Sequence, residues 1–251
     1  MLSAFADIPL IQLALVAGVA LVTSVLGGVA GYGTGALMPL ILVPMVGPEP
    51  VVPIVAISAL LTNTWRAAAF FRHIDLRRAA IVTVCAIPLC IVSAYGYTFL
   101  TGSGAMLAIG TMLMLTVPLR YTLKRRAVSL NNKGLALGAC GYGAAVGGTV
   151  GAGVILLSLL MAAGLQGAAV IATDAAVSIV IGAVRFAVFG VAGAVDPKVL
   201  AFAALIGLMT FPGAFFARAL VHRMPIHVHA AILDLVVLIG GAVMVVSAVT
   251  R

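Results

Sequence analysis

Charge is scarce in this sequence: 8% of its 251 residues are Asp, Glu, Lys or Arg, where soluble domains carry about a quarter. With 64% hydrophobic residues and a mean hydropathy of +1.29, the chain cannot cover a surface that faces water. That excludes a soluble globular domain and points to a lipid bilayer. Cysteine is sparse as well. Cys85, Cys90 and Cys140 all lie in apolar stretches, with no C-x-x-C pair and no histidine at metal-ligand spacing, so they read as small buried hydrophobes. A membrane enzyme or redox carrier would have to draw on Cys85, Cys90, His73 and Asp75, which form no recognised catalytic arrangement. No enzyme activity, metal or cofactor is therefore expected.

Acids are the rarest charged residues, 6 against 14 Lys and Arg, for a net charge of +8. The basic residues sit in short loops between apolar runs instead of along one amphipathic face, so they read as topology signals and no nucleic-acid partner is expected. The histidines His222, His227 and His229 read as part of a solvated basic loop. The first residues, Met1 to Asp7, lack the positive n-region of a secretory signal, so the first apolar run is expected to stay as a membrane helix.

What the chain has in quantity is apolar runs broken by glycine. The stretch Gly27-Gly28-Val29-Ala30-Gly31-Tyr32-Gly33-Thr34-Gly35 returns as Gly147-Gly148-Thr149-Val150-Gly151-Ala152-Gly153. Adding 120 to Gly27, Gly28, Gly31 and Gly33 gives Gly147, Gly148, Gly151 and Gly153. Arg66 stands opposite Arg185 at an offset of 119, and Ile74-Asp75-Leu76-Arg77 opposite Val195-Asp196-Pro197-Lys198 at 121. So long a period excludes a solenoid, and a duplicated apolar chain suggests a transporter of two related bundles.

A membrane helix needs about 20 apolar residues with every backbone group paired within it. The runs that qualify, or form arms of a broken span, are Ile8 to Leu26, Ala36 to Val46, Val51 to Phe71, Ala79 to Leu100, Ala105 to Leu119, Gly134 to Val146, Val154 to Ala163, Ala168 to Val191, Val199 to Leu220 and Ala230 to Val249. The first repeat is read as 1–126, a basic linker as 127–133 and the second repeat as 134–251. Basic turns at Arg72 to Arg78, Arg120 to Lys133 and Arg218 to His229 are expected inside, which leaves Gly47 to Pro50, Thr101 to Gly104 and the turn at Asp196 outside. With Asp75 inside and Asp196 outside, the halves are expected to be inverted. The expectation is an all-α polytopic membrane protein of about 8 to 10 helices, each half a glycine-rich broken helix or helical hairpin plus three transmembrane helices.

Two readings of the glycines stay open. Gly27, Gly31 and Gly35 follow the small-x-x-x-small spacing that lets helices pack closely. Consecutive glycines also weaken a helix by about 1 kcal/mol each, and a broken helix in mid-membrane presents bare amides to an anion. On the second reading Gly31, Tyr32, Gly33, Thr34, Thr149, Gly151 and Gly153 line an anion site. Arg185, deep in an apolar run, and Arg66 would add positive charge, with Asn63 beside Arg66 as a neutral donor. Asp174 lies eleven residues before Arg185, about 16 Å by helix rise, so the two cannot pair on a straight helix. It is the candidate to take a coupling proton, and two other readings stay open beside that one, a pairing with a cation and a protonated, hydrogen-bonded structural group.

Glycines Gly27-Gly28-x-x-Gly31-x-Gly33 followed by Met38-Pro39-Leu40, their second copy followed by Leu159-Leu160, the central basic linker, the Ile74-Asp75-Leu76-Arg77 turn and the length together resemble the TauE/SafE family, the sulfite-exporter-like permeases of the toluene sulfonate uptake group. The resemblance covers nearly the whole chain. It implies a multi-pass transporter of the bacterial inner membrane for sulfite, sulfoacetate or other organosulfonates. Partners would be the bilayer, the small anion and H+ or Na+ as coupling ion, and a homodimer is compatible with all of this. The rival readings are a transporter or channel for another small anion and a non-transporting assembly factor whose glycines only pack.

Overall fold

The computed structural model describes residues 9–30, 34–125, 129–220 and 226–250, and among these not the side chains of 25–30, 120, 123–125, 213–220 and 226–233. The described chain is helical throughout: α1 (Leu10–Ala30), α2 (Thr34–Val46), α3 (Val51–Phe70), α4 (Leu76–Tyr97), α5 (Gly102–Arg125), α6 (Asn132–Gly147), α7 (Gly153–Ala162), α8 (Ala168–Val191), α9 (Pro197–Leu220) and α10 (Ile226–Val249), with a short 3₁₀ turn at Phe71–His73. Four stretches, Val51–His73, Leu76–Tyr97, Gly102–Leu119 and Ala168–Val191, are long and apolar enough to span a bilayer. The protein is an all-α polytopic membrane protein. Several helices run beyond the apolar stretches that marked them, α4 and α5 among them. α5 continues from Leu119 to Arg125 because nothing in Arg-Tyr-Thr-Leu-Lys-Arg breaks a helix, and α4 begins at Leu76 because Asp75 caps it.

Asp75 and Asp196, matched by the internal duplication, do the same work in their two halves. Asp75 Oδ1 accepts the amide of Arg78 at 2.9 Å and opens α4, and Asp196 Oδ1 accepts the amide of Val199 at 2.7 Å and opens α9. Each takes one of the donors that a helix start leaves without a partner. The Arg78 amide, with its guanidinium 2.6 Å away, holds the Asp75 carboxyl below the usual carboxylate range against a smaller opposing effect of burial.

Contacts between turns sort them into two ends. The Tyr97 hydroxyl donates to the Pro48 carbonyl at 2.8 Å and the Tyr97 and Phe189 rings lie 6.2 Å apart, so the turns at 47–50, 98–101 and 192–196 share one end. At the other end the Asp75 amide donates to Thr173 Oγ1 at 3.0 Å, and the Leu130 amide donates to the Ala162 carbonyl at 2.7 Å. The described turns thus segregate as their charge predicts, with the basic turn at 71–75 and the end of the basic linker at one end; in the third basic turn, 221–225 lie outside the described residues. It follows that α3 and α5 run towards the basic end, while α4 and α8 run away from it.

The Leu130–Ala162 bond has a further consequence. α7 returns to the end from which α6 started, so α6, the glycine break and α7 form a helical hairpin that enters and leaves on one side. Leu159 of α7 packs on Gly138 of α6 along the way. The corresponding first break, Gly31 to Gly33, lies outside the described residues.

The helix pairings repeat. α6 packs on α4 and α1 on α9; α8 packs on α4 and α3 on α9; α7 packs on α5 and α2 on α10; α3 packs on α8 and α5 on α10. Replacing α1 to α5 by α6 to α10 in order maps this set onto itself, and the equivalent helices α3 and α8 run antiparallel. The α6–α7 hairpin leans on α4 and α5 of the first half, and α1 and α2 on α9 and α10 of the second.

The shared cap geometry predicts matched losses. Asp75→Ala and Asp196→Ala are each expected to cost about 1 kcal/mol, and Asn at either position should restore most of it. Because the Asp75 carboxyl is held low, its contribution is present at neutral pH and disappears as pH falls through that lowered value. Thermal unfolding of detergent-solubilised variants checks both, and an Asp75→Ala midpoint equal to wild type would contradict the capping role.

Candidate functional site

The second glycine break is built by close packing on one side and backbone freedom on the other. Along α4, Ala86, Cys90 and Ala94 make a stripe of small residues at helical spacing, and the glycines of α6 lie against it. A Cβ on Gly143 would run into the Ala86 carbonyl and one on Gly147 into the Cys90 carbonyl, so both helices approach at backbone contact. The next residue leaves the helix. The Gly148 amide turns to Ser93 Oγ of α4 at 2.9 Å, a side-chain acceptor in place of a helical carbonyl. Gly151 then takes φ +82, which L side chains rarely adopt, and α7 starts at Gly153. The two readings of the glycines divide by position: Gly143, Gly147 and Gly148 pack, and Gly151 bends the chain.

The break lies where the two hydrophobic cores meet. Val150 and Val154 are buried in the core of α1, α2, α3, α5, α9 and α10, whereas Ala152 and Leu156 belong to that of α4, α6, α7 and α8. The other glycine copy comes to the same place: a Cβ on Gly35 would lie 3.7 Å from the Gly151 amide nitrogen. Thr34 opens α2 beside it. Gly31, Tyr32 and Gly33 fall outside the described residues.

Arg185 reaches this point from α8. Its side chain does not snorkel outward: the residue is 6% exposed, with one terminal nitrogen donating to the Thr149 carbonyl at 3.0 Å and its guanidinium 5.9 Å from the centre of the Phe189 ring. Its Nε is buried without a hydrogen-bond partner. Among the described residues the ion pairs are Arg66–Asp174 and Arg78–Asp75, and Arg185 is in neither. The Thr149 carbonyl belongs to the negative end of α6, which offsets part of the charge, while the first amides of α7 add partial positive charge across the break. Thr149 contributes through its carbonyl, because its hydroxyl donates to the Ala145 carbonyl of its own helix. Gly153 leaves open space where a side chain would stand.

Arg66, Asn63 and Asp174 form a separate cluster. Arg66 Nη1 lies 3.2 Å from Asp174 Oδ2 and 3.0 Å from Asn63 Oδ1, and Asn63 in turn donates to the Ala59 carbonyl at 2.9 Å. The two arginines therefore do not share one pocket: each holds its own station along α8, about 16 Å apart by helix rise. Tyr142 of α6, buried beside Ser178 of α8, lies within electrostatic reach of both Asp174 and Arg185. Sequence reasoning passed over Ser93, Tyr142 and Phe189. Gly143, four residues before Gly147, is the signal that would have extended the packing motif back along α6.

A family model described as "Sulfite exporter TauE/SafE" matches residues 16–244. No curated protein and no solved structure matches the chain.

The division of labour among the glycines is testable. Gly143→Ala and Gly147→Ala force a methyl group into backbone and should lower the melting temperature or abolish folding, and Gly151→Ala should cost about 1 to 2 kcal/mol from its left-handed backbone. Gly153→Ala meets open space and should fold like wild type. Thermal unfolding in detergent ranks the four, and a Gly147→Ala protein as stable as wild type would contradict the packing assigned to that glycine.

Proposed function

Because the chain belongs to the sulfite exporter TauE/SafE family, a family of membrane transporters, we propose that it is a secondary transporter for sulfur oxyanions, sulfite or organosulfonates such as sulfoacetate, in a bacterial inner membrane. The anion binds at the second glycine break, held by Arg185 and the bare amides at the start of α7, with Gly151 and Gly153 leaving room for it. Thr34 and Gly35, at the start of α2, close the site from the other half. The repeats, 1–126 and 134–251 around the linker, are read as inverted, in keeping with their interchangeable pairings and the antiparallel course of α3 and α8. Alternating access then rocks one half against the other around the midplane.

The single observation that carries this reading is the state of Arg185. A guanidinium inside a membrane costs at least about 2.5 to 3.5 kcal/mol, and such residues pair with an acid or mark an ion pathway. Among the described residues Arg185 has a carbonyl and an aromatic ring but no acid, and its Nε has no acceptor. A pyramidal or tetrahedral oxyanion supplies what is missing, since its oxygens each accept a charge-assisted hydrogen bond from the planar fork or from an amide.

Arg185→Ala should weaken sulfite or sulfoacetate binding about 10- to 100-fold, the loss of one or more bonds to a charged group. Arg185→Lys should recover part of it, because the charge remains and the fork does not. Calorimetry on purified protein gives the affinities, and counterflow of labelled sulfoacetate into proteoliposomes reports transport. Wild-type affinity in a well-folded Arg185→Ala variant would overturn the proposal.

A further inference from the structure

The two described ion pairs are built differently. Arg78 meets Asp75 at 2.6 Å, with the carboxylate also capping α4. Arg66 commits a single nitrogen, Nη1, shared between Asp174 at 3.2 Å and Asn63 at 3.0 Å, and its Nη2 and Nε make no hydrogen bond to the described residues. Strong guanidinium–carboxylate bonds are shorter, about 2.7 to 2.9 Å, and frequently bidentate. Exposure is uneven too: the Arg66 side chain is 26% exposed and that of Asp174 7%. The arginine thus has free donors on an open side, and the acid depends on one long contact from within the protein.

Among the described residues no second cation is paired with Asp174. From α3 it faces Arg66, and from α6 it faces Tyr142. At the start of α4 the Asp75–Arg78 pair is closed on itself and Arg77 is exposed, and α7 carries no titratable side chain. In the 3₁₀ turn packed on α8, Arg72 and His73 are exposed, with Arg72 over the Phe71 ring. A buried carboxylate that loses its only counter-charge is costly enough that it takes a proton instead.

We propose that Asp174 is a resident competitor for Arg66, displaced by the transported anion and protonated as it leaves, so that each oxyanion bound at this station is accompanied by one proton. This deepens the anion-transporter reading and rests on it. The incoming oxyanion takes the two uncommitted nitrogens of Arg66 side by side, and because one guanidinium then balances one negative charge, the single long contact from Asp174 no longer neutralises the acid. The proton comes from water at the basic end of the protein and goes to the Asp174 carboxylate, and no bond within the chain is made or broken. Asn63 positions Arg66 throughout, because its amide is tied to the Ala59 carbonyl and its Oδ1 to Nη1.

Calorimetry on the purified full-length protein tests this, titrating sulfite, sulfoacetate and methanesulfonate between about pH 5 and about pH 8 in two buffers of different ionisation enthalpy. Wild type has the Arg185 station as well, so the count is read in Arg185→Ala, where the Arg66 station remains. That protein should take up about one proton per anion beyond the ligand's own titration, with affinity falling about tenfold per pH unit where that uptake is complete. Adding Asp174→Asn should leave binding of the same anion with no linked proton and little pH dependence, and adding Asp174→Glu should keep the linkage. Comparison with the Asp174→Asn protein cancels the protons that the ligand itself exchanges. Absence of binding to Arg185→Ala where wild type binds, binding without linked uptake, or uptake unchanged when Asp174→Asn is added, overturns the competition. If the Asp174→Asn protein does not fold, the Arg185→Ala proton count with methanesulfonate, which does not titrate in this range, decides alone. Failure of wild type to bind any of the three anions overturns the anion-transporter reading, and this inference with it.

Discussion

A guanidinium held at 6% exposure inside a membrane helix has to be offset, and at Arg185 the protein supplies only part of the offset. One nitrogen has the Thr149 carbonyl, the flat face lies near Phe189, and Nε has no acceptor. The carbonyl is available because α6 stops there. A continuous helix would have committed it to an amide four residues on, so the glycine break and the buried arginine depend on one another. The break frees a partial negative end for the arginine and leaves a partial positive end, the start of α7, facing the same space.

Holding a broken backbone in place demands rigid support, which α4 provides. Its small residues admit α6 at backbone contact, and Ser93 takes over the first amide that the helix releases. The hairpin packs mainly on a helix of the opposite half, so a movement of one half relative to the other carries the break with it or shears it past its support. Alternating access needs that mechanical link between the site and the bundles. The second charge cluster lies nearer the basic end, where Asp174 and Arg66 meet across α8 and α3.

Much of this was legible in the amino-acid order, for identifiable reasons. Apolar runs bounded by Gly, Pro and charged residues located all ten helices, because bilayer length and backbone pairing leave little choice. The offset between Asp75 and Asp196 pointed to equivalent turns, although their role as helix caps emerged only from the hydrogen bonds. The helix-rise argument that kept Asp174 from Arg185 held, and the structure supplied Arg66 as the partner instead. That pairing crosses from one half of the chain to the other, and no local pattern encodes it. Thr149 was singled out for its hydroxyl, yet a hydroxyl at the end of a helix readily bonds back to the preceding turn, and the carbonyl is what meets the arginine. A single pocket lined by both arginines was the natural reading of a duplicated sequence; the antiparallel course of α3 and α8 puts Arg66 and Arg185 towards opposite ends.

The central claim is that negative charge from outside the protein completes Arg185. Anomalous diffraction from crystals soaked in selenite or selenate, heavier oxyanions of the same shape as sulfite and sulfate, tests it most directly. The account predicts a selenium peak within hydrogen-bonding reach of Arg185 Nε and the amides of residues 151–153. A dry interface there, with Arg185 meeting only the Thr149 carbonyl and Phe189 while selenium binds elsewhere or nowhere, would contradict it.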